Sequence, residues 1–381
     1  MGFRPFFLLA GLWAATALVL FVANLQGAVI LPTYLDAVTW HWHEMLFGFV
    51  AATFTGFLLT AIPNWTGHLP LQGTSLLFLV LIWIAGRLAL AFSDLIGALP
   101  AAVIDVAFLA VVLVLTLREI IAGKNWRNLP IIAAVALFLL GNALIHAEAL
   151  EIFVLDGLGQ RLSIATMIMM ITLIGGRIVP SFTRNWLNKQ GHERFPAPFG
   201  VIDGGTLAIT LLALGWWSVQ PEGLLTGLFA AIAAAANLIR VCRWRGLATR
   251  VEALVWVLHL GYLWIPVGLA LLALSQWWPT LPQSGALHSL TAGAMGTMTL
   301  AVMSRATMGH TGRDLHAGPG LAIAYGLVSL AAVSRIASSV LDIAAEALLW
   351  IAAFSWVAAF VIFLAVCGPM LLTRSPKTAS D

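Results

Sequence analysis

Twelve apolar stretches, each about the length that crosses a lipid bilayer, follow one another through the 381 residues of this chain. A spanning helix needs roughly 20 apolar residues. On that ruler the spans fall near residues 6–26, 40–62, 74–93, 99–118, 129–150, 160–180, 201–219, 223–241, 252–275, 285–306, 319–341 and 346–371. Inside hydrocarbon every backbone polar group must be satisfied by the chain itself, and runs of this length do so as helices. The expected fold is therefore all-α: a polytopic membrane protein with twelve transmembrane helices, forming one transmembrane domain over residues 1–381. Composition agrees, because only 9% of the residues are charged, against about a quarter in soluble domains. The formal charge of +3 is not a nucleic-acid footprint; basic residues in such a chain mostly report topology. Cys242 and Cys367, the only two cysteines, provide neither a disulfide framework nor a thiolate cage.

The loops sort by charge. One side carries Arg4, then Arg118, Lys124 and Arg127, then Arg184, Lys189 and Arg194, and later Arg243, Arg245, Arg250, Arg313, Arg374 and Lys377. The other carries Asp36, Asp94, Glu151, Asp156, Glu222, Asp342 and Glu346, with Arg161 as its single basic residue. The positive-inside rule then places both termini in the cytoplasm. The first run is long enough to span and lacks a small-residue cleavage site, so no cleavable leader is expected.

The second, sixth and tenth spans end alike, at Thr60-Ala61-Ile62-Pro63-Asn64-Trp65-Thr66, Arg177-Ile178-Val179-Pro180-Ser181-Phe182-Thr183 and Arg305-Ala306-Thr307-Met308-Gly309-His310-Thr311. Anchored on Pro63, Pro180 and Met308, the three threonines align, and counting back seventeen residues from Thr60, Arg177 and Arg305 reaches His43, Gln160 and His288. The first, fifth and ninth spans share a mid-helix glycine, at Gly11, Gly141 and Gly261. These matches suggest a threefold repeat of four-helix units, over residues 1–128, 129–250 and 251–381. Twelve helices in three groups is also the plan of the catalytic subunit of haem-copper oxidases, an analogy of fold alone.

The residues able to carry chemistry gather in the outer third of the helices. The second span opens Trp40-His41-Trp42-His43-Glu44-Met45-Leu46-Phe47-Gly48, and His146 and His288 lie at similar depth. Ionisable groups in a membrane segment are costly and call for a partner or a task. His41 and His43 are two apart, so on a regular helix they point about 200° from each other and take different tasks. His43 and His288 are the candidate axial ligands of a haem b. His41, beside Glu44 and with His146 in reach, is the candidate copper ligand, and His259 is a further imidazole deeper in the ninth span. Neutral imidazole suits both metals. The alternative for each histidine is a hydrogen bond at the membrane interface. His68, His192, His310 and His316 read as solvated loop residues. Arg87, Arg161 and Arg335 suit the propionates of a haem, or else pair with Asp105, Asp156 and Asp342. The glycines Gly48, Gly56, Gly293 and Gly296 admit either a flat macrocycle or close helix contact. Methionines such as Met167 and Met298 are packing fillers before they are thioether ligands.

Several segments resemble the NnrS family of bacterial inner-membrane proteins: Phe3-Arg4-Pro5-Phe6-Phe7-Leu8, the stretch His41 to Gly48, Gly176 to Thr183, and the run from His288 through Met303-Ser304-Arg305 to Arg313. The resemblance covers nearly the whole chain. It implies haem and copper, and a part in denitrification and the response to nitric oxide. The sixth and seventh spans lack the histidines of an oxidase copper centre, so oxygen reduction by that route is not expected.

The resulting expectation is an inner-membrane haem protein, also holding copper, that binds nitric oxide or acts on it as an oxidoreductase near the periplasmic face. Its partners would be the lipid bilayer, nitric oxide and an electron donor that the sequence does not identify. The alternatives are a twelve-helix secondary transporter and a sensor or assembly factor without turnover.

Overall fold

The computed structural model describes residues 2–67, 69–278 and 280–373; His68, Arg374 and Lys377 lie outside the described residues. It is all-helical among these residues, with twelve helices long and apolar enough to cross a membrane. They are α1 (Phe3–Leu25), α2 (Ala37–Thr66), α3 (Gly73–Ala91), α4 (Ala98–Ala122), α5 (Trp126–Ala149), α6 (Leu158–Lys189), α7 (Val201–Val219), α8 (Leu224–Cys242), α9 (Ala253–Ser275), α10 (Gln283–His310), α11 (Pro319–Ala337) and α12 (Asp342–Leu372). Each of the twelve stretches read from the sequence is one of these helices.

The ends moved for local reasons. α2 begins at Ala37 because the Asp36 carboxylate accepts from the amides of Val38 and Thr39, an N-cap in extended backbone. It ends at Gly67, whose φ of 76° is the left-handed conformation that closes many helices. α6 runs past Pro180 to Lys189. A proline removes one backbone hydrogen bond, yet here the helix continues and buries Thr183 and Leu187.

Three helices contain π turns, at Glu44–Val50 in α2, Ile171–Gly175 in α6 and Ser289–Gly296 in α10. Such turns widen the helix and leave carbonyls that look for other donors. In α2 the Gly48 carbonyl accepts from Trp83 Nε1 at 3.1 Å, and in α6 the Thr172 carbonyl accepts from Arg240 Nη1 at 2.9 Å. These are the helices with matching ends. The π turns of α2 and α10 both begin nineteen residues before their anchors, Pro63 and Met308. That of α6 lies nearer Pro180.

The chain divides into two compact units. The first takes residues 1–166 with 371–373, hence α1 to α5 and the start of α6. The second takes the remainder. Within the first, α2 packs on α1 and α4, and α3 packs on α4. Within the second, α9 is flanked by α8 and α10 and is among the most buried helices. The aligned glycines serve close approach. A Cβ on Gly141 would lie 2.1 Å from Ser163 Oγ on α6, and one on Gly261 would lie 3.2 Å from the Met298 amide on α10.

Candidate metal centre

In the first unit, α2, α4 and α5 turn polar side chains inward at one level. Asp105 is the only carboxylate in α4 before Glu119. α3 meets α4 closely at Gly86, where an added Cβ would sit 3.3 Å from the Asp105 Cα. That approach lets Arg87, the next residue, donate from Nη2 to Asp105 Oδ1 and from Nη1 to Glu44 Oε1 at 2.7 Å. On α5, Asn142 and His146 are one turn apart and so share a face. Asn142 Nδ2 donates to Asp105 Oδ2 at 2.8 Å, and His146 Nε2 lies 3.0 Å from the same oxygen. From α2, His43 brings its Nε2 to 3.3 Å from Asp105 Oδ2 and 2.9 Å from Asn142 Oδ1.

His43 stands just ahead of the π turn of α2, and Glu44 is its first residue. Glu44 accepts from Trp13 Nε1 at 2.7 Å as well as from Arg87. His43, Glu44, Asp105 and His146 are 0–3% exposed. Charged groups at such burial persist only when paired, and here one guanidinium serves two carboxylates. The loop after α1 reaches the cluster through Tyr34, whose hydroxyl lies 2.5 Å from His146 Nδ1. Burial, and then the negative charge of Asp105, hold the Tyr34 phenol well above its ordinary pKa.

His43, Asp105 and His146 each offer one ligand atom, and these atoms lie within 4.8 Å of one another. This is the one such group of three or more metal-ligating side chains among the described residues. Two members, His43 and His146, were candidates from sequence. Asp105 had entered only as a partner for Arg87, a pairing that the structure contains. Its signal was a lone carboxylate inside an apolar run, four helices into the chain.

The remaining candidates sit elsewhere. His41 stacks on Phe21 of α1 with ring centroids 4.0 Å apart, while His146 and Glu44 lie against His43. The π turn explains part of this, since regular helical spacing no longer holds beyond His43. Arg161 donates to the carbonyl of Asp156. His259, in the second unit, shares a hydrogen bond with the Thr183 hydroxyl at 2.7 Å. His288, also in the second unit, stands just ahead of the π turn of α10. Its Nδ1 is 2.7 Å from the Ser284 carbonyl, which leaves Nε2 for another ligand. Arg335 is within electrostatic reach of His288 and bonds Ser338 Oγ at 3.3 Å, in place of the expected Asp342. The glycines are occupied by aromatic neighbours: Gly48 by Trp13, Gly56 by Phe7, Gly293 by Trp264 and Gly296 by Trp356. Close packing is the role the structure gives them.

Comparison with curated proteins found no match. The family model described as NnrS protein matches residues 1–374, almost the entire chain, and the chain belongs to the NnrS family.

Proposed function

We propose that this protein is a haem-containing inner-membrane protein that meets nitric oxide near the periplasmic face, with copper as a second cofactor. It would act by binding the gas or by redox chemistry upon it. The observation that supports this reading most directly is the position of His43 and His288. Each is the residue immediately before a π turn, at the same distance from its helix anchor, and π turns recur at functional sites. This shared register relates α2 to α10, while the π turn of α6 lies nearer its anchor.

The residues divide the two histidines between two tasks. His288 suits haem iron, because its Nδ1 is committed to the Ser284 carbonyl and a hydrogen bond there fixes the tautomer that ligates through Nε2. Arg335, close to it, suits a propionate. Arg87 does not, since Glu44 and Asp105 occupy it. His43 has its Nε2 turned to Asp105 and Asn142, so the reading keeps one protein ligand for the haem. Held by one protein side chain, haem iron would be able to take a diatomic ligand. Nitric oxide is small and apolar and reaches a membrane-embedded centre through lipid. The charge pattern of the loops supports a topology with both termini in the cytoplasm and the Tyr34 loop outside.

The test is the absorption spectrum of the full-length protein, expressed with ample haem supply and purified. A Soret band is expected, lost or shifted to another spin state in His288→Ala. Wild-type protein that is folded and has no Soret band would overturn the reading.

A further inference from the structure

Beyond the haem, the geometry points to a separate non-haem site: His43 Nε2, His146 Nε2 and Asp105 Oδ2 hold one divalent transition-metal ion between α2, α4 and α5. Metal–nitrogen and metal–oxygen bonds of about 2.0–2.2 Å set neighbouring ligand atoms roughly 3.0–3.5 Å apart. The two imidazole nitrogens lie 3.0 and 3.3 Å from Asp105 Oδ2. Two imidazoles and one carboxylate, with positions left open, form the arrangement that suits ferrous and related divalent ions.

The surroundings are those of a ligand set. Each imidazole turns its other nitrogen to an oxygen: His146 Nδ1 to the Tyr34 hydroxyl at 2.5 Å, and His43 Nδ1 to Glu44 Oε1 at 3.5 Å. Metal-bound histidines are commonly held by such outer hydrogen bonds, and His146 already has one. The second oxygen of Asp105 is fixed by Arg87, and Asn142 Nδ2 donates to Oδ2 itself. His43 Nδ1 is buried and makes no hydrogen bond. A ligated imidazole carries its proton on that nitrogen, where it would face Glu44.

Charge argues the same way. Asp105 and Glu44 share one guanidinium, Arg87, so the buried cluster carries one uncompensated negative charge when both histidines are neutral. A cation must balance it in this setting, either a metal ion or a proton on an imidazole. The set contains no sulfur, which disfavours Cu(I) and favours divalent ions.

Titration of chelator-stripped, full-length protein in nanodiscs with Co(II) separates these cases. One equivalent is expected to bind, with visible d–d bands from a low-symmetry nitrogen and oxygen environment. Excess Zn(II) is expected to displace it. Asp105→Asn and His146→Gln are expected to weaken binding by at least about a hundredfold, the upper range already seen for outer-shell losses. His41→Gln and His288→Ala are expected to bind as the wild type does. If Asp105→Asn does not accumulate, His146→Gln carries the test. Failure of the wild type to take up Co(II) saturably would overturn the site and leave a protonated imidazole as the balancing cation. Undiminished binding in His146→Gln would overturn it too. The Soret band of the same samples reads the haem separately, so the two proposals fail independently.

Discussion

The Tyr34 hydroxyl and His146 Nδ1 share a hydrogen bond of 2.5 Å, which ties the loop between α1 and α2 to a carboxylate buried in α4. Tyr34 therefore has two effects. It closes the cluster from the loop side, and it fixes which nitrogen of His146 faces Asp105. Its amide is held in turn by the Ser93 hydroxyl at 2.9 Å, so the phenol is aimed by backbone as well as by its ring.

Removing that hydroxyl tests the second effect. Tyr34→Phe is expected to lower Co(II) affinity about 10- to 100-fold, the usual cost of an outer-shell partner. Global stability should fall by only about 1 kcal/mol for one lost hydrogen bond. Haem content should not change. Metal titration alongside thermal unfolding checks this, and equal metal affinity in the two proteins would separate Tyr34 from the site.

The same phenol gives a pH dependence. Burial, followed by the charge of Asp105, raises its pKa in the folded protein above the unfolded value of about 10. The neutral phenol is thus favoured by folding. Its contribution is complete below the unfolded pKa and is lost as pH rises through the folded one. Wild type should lose stability relative to Tyr34→Phe only above about pH 10, measured as the difference between their unfolding temperatures across pH.

How much of this was legible in the sequence depended on the kind of signal. Helix number followed from run length, because continuous apolar runs of about 20 residues satisfy their own backbone in lipid as helices. The pairing of His43 with His288 came from counting residues, and the π turns now fall just after each of them. The grouping of side chains was less legible. Regular helical geometry put Glu44 on the face of His41, while the structure turns it to Trp13, Arg87 and His43. A π turn is one inserted residue, and nothing in Glu44 to Val50 announces it. The second-unit network around Arg240 also went unread. Arg240 is a helix-end arginine by sequence, yet it is fully buried and bonded to Asp203.

Asp36 sets where α2 starts, and with it the level of His43. Burial raises its pKa, but bonds from the Thr39 side chain and from the amides of Thr39 and Val38 outweigh that and leave it lowered. The cap is therefore intact above the ordinary carboxylate range and is lost as pH falls through the lowered value. Asp36→Ala should cost about 1 kcal/mol, typical of an N-cap. The cost should vanish in strong acid, where the wild type too has lost its cap. Unfolding followed at neutral and acid pH measures both.

Topology can be checked without purification. Alkaline phosphatase fused at the C-terminus should be inactive and a fusion near Asp156 active, because the basic loops alternate with the acidic ones. The reverse pattern would place the Tyr34 loop, and the cluster beneath it, on the cytoplasmic side.

Gly176 carries the sharpest packing prediction. It follows the π turn of α6, and the guanidinium of Arg240 lies directly against it; an added Cβ would sit 2.2 Å from Nη2. Arg240 has little freedom to withdraw. Nε is bonded to Asp203 at 2.9 Å, and Nη1 to the Thr172 carbonyl at 2.9 Å and the Tyr262 hydroxyl at 3.0 Å. Its guanidinium also lies 5.4 Å from the Trp244 ring. Gly176→Ala should therefore destabilise by about 1–3 kcal/mol, as overpacking does, even though alanine is the better helix former. Arg240→Ala in the Gly176→Ala background should lose little more than Arg240→Ala alone, because the clash has then been removed. Thermal unfolding of the two single variants and the double variant measures this coupling. Additive losses would mean that the cost of Gly176→Ala does not come from the Arg240 guanidinium.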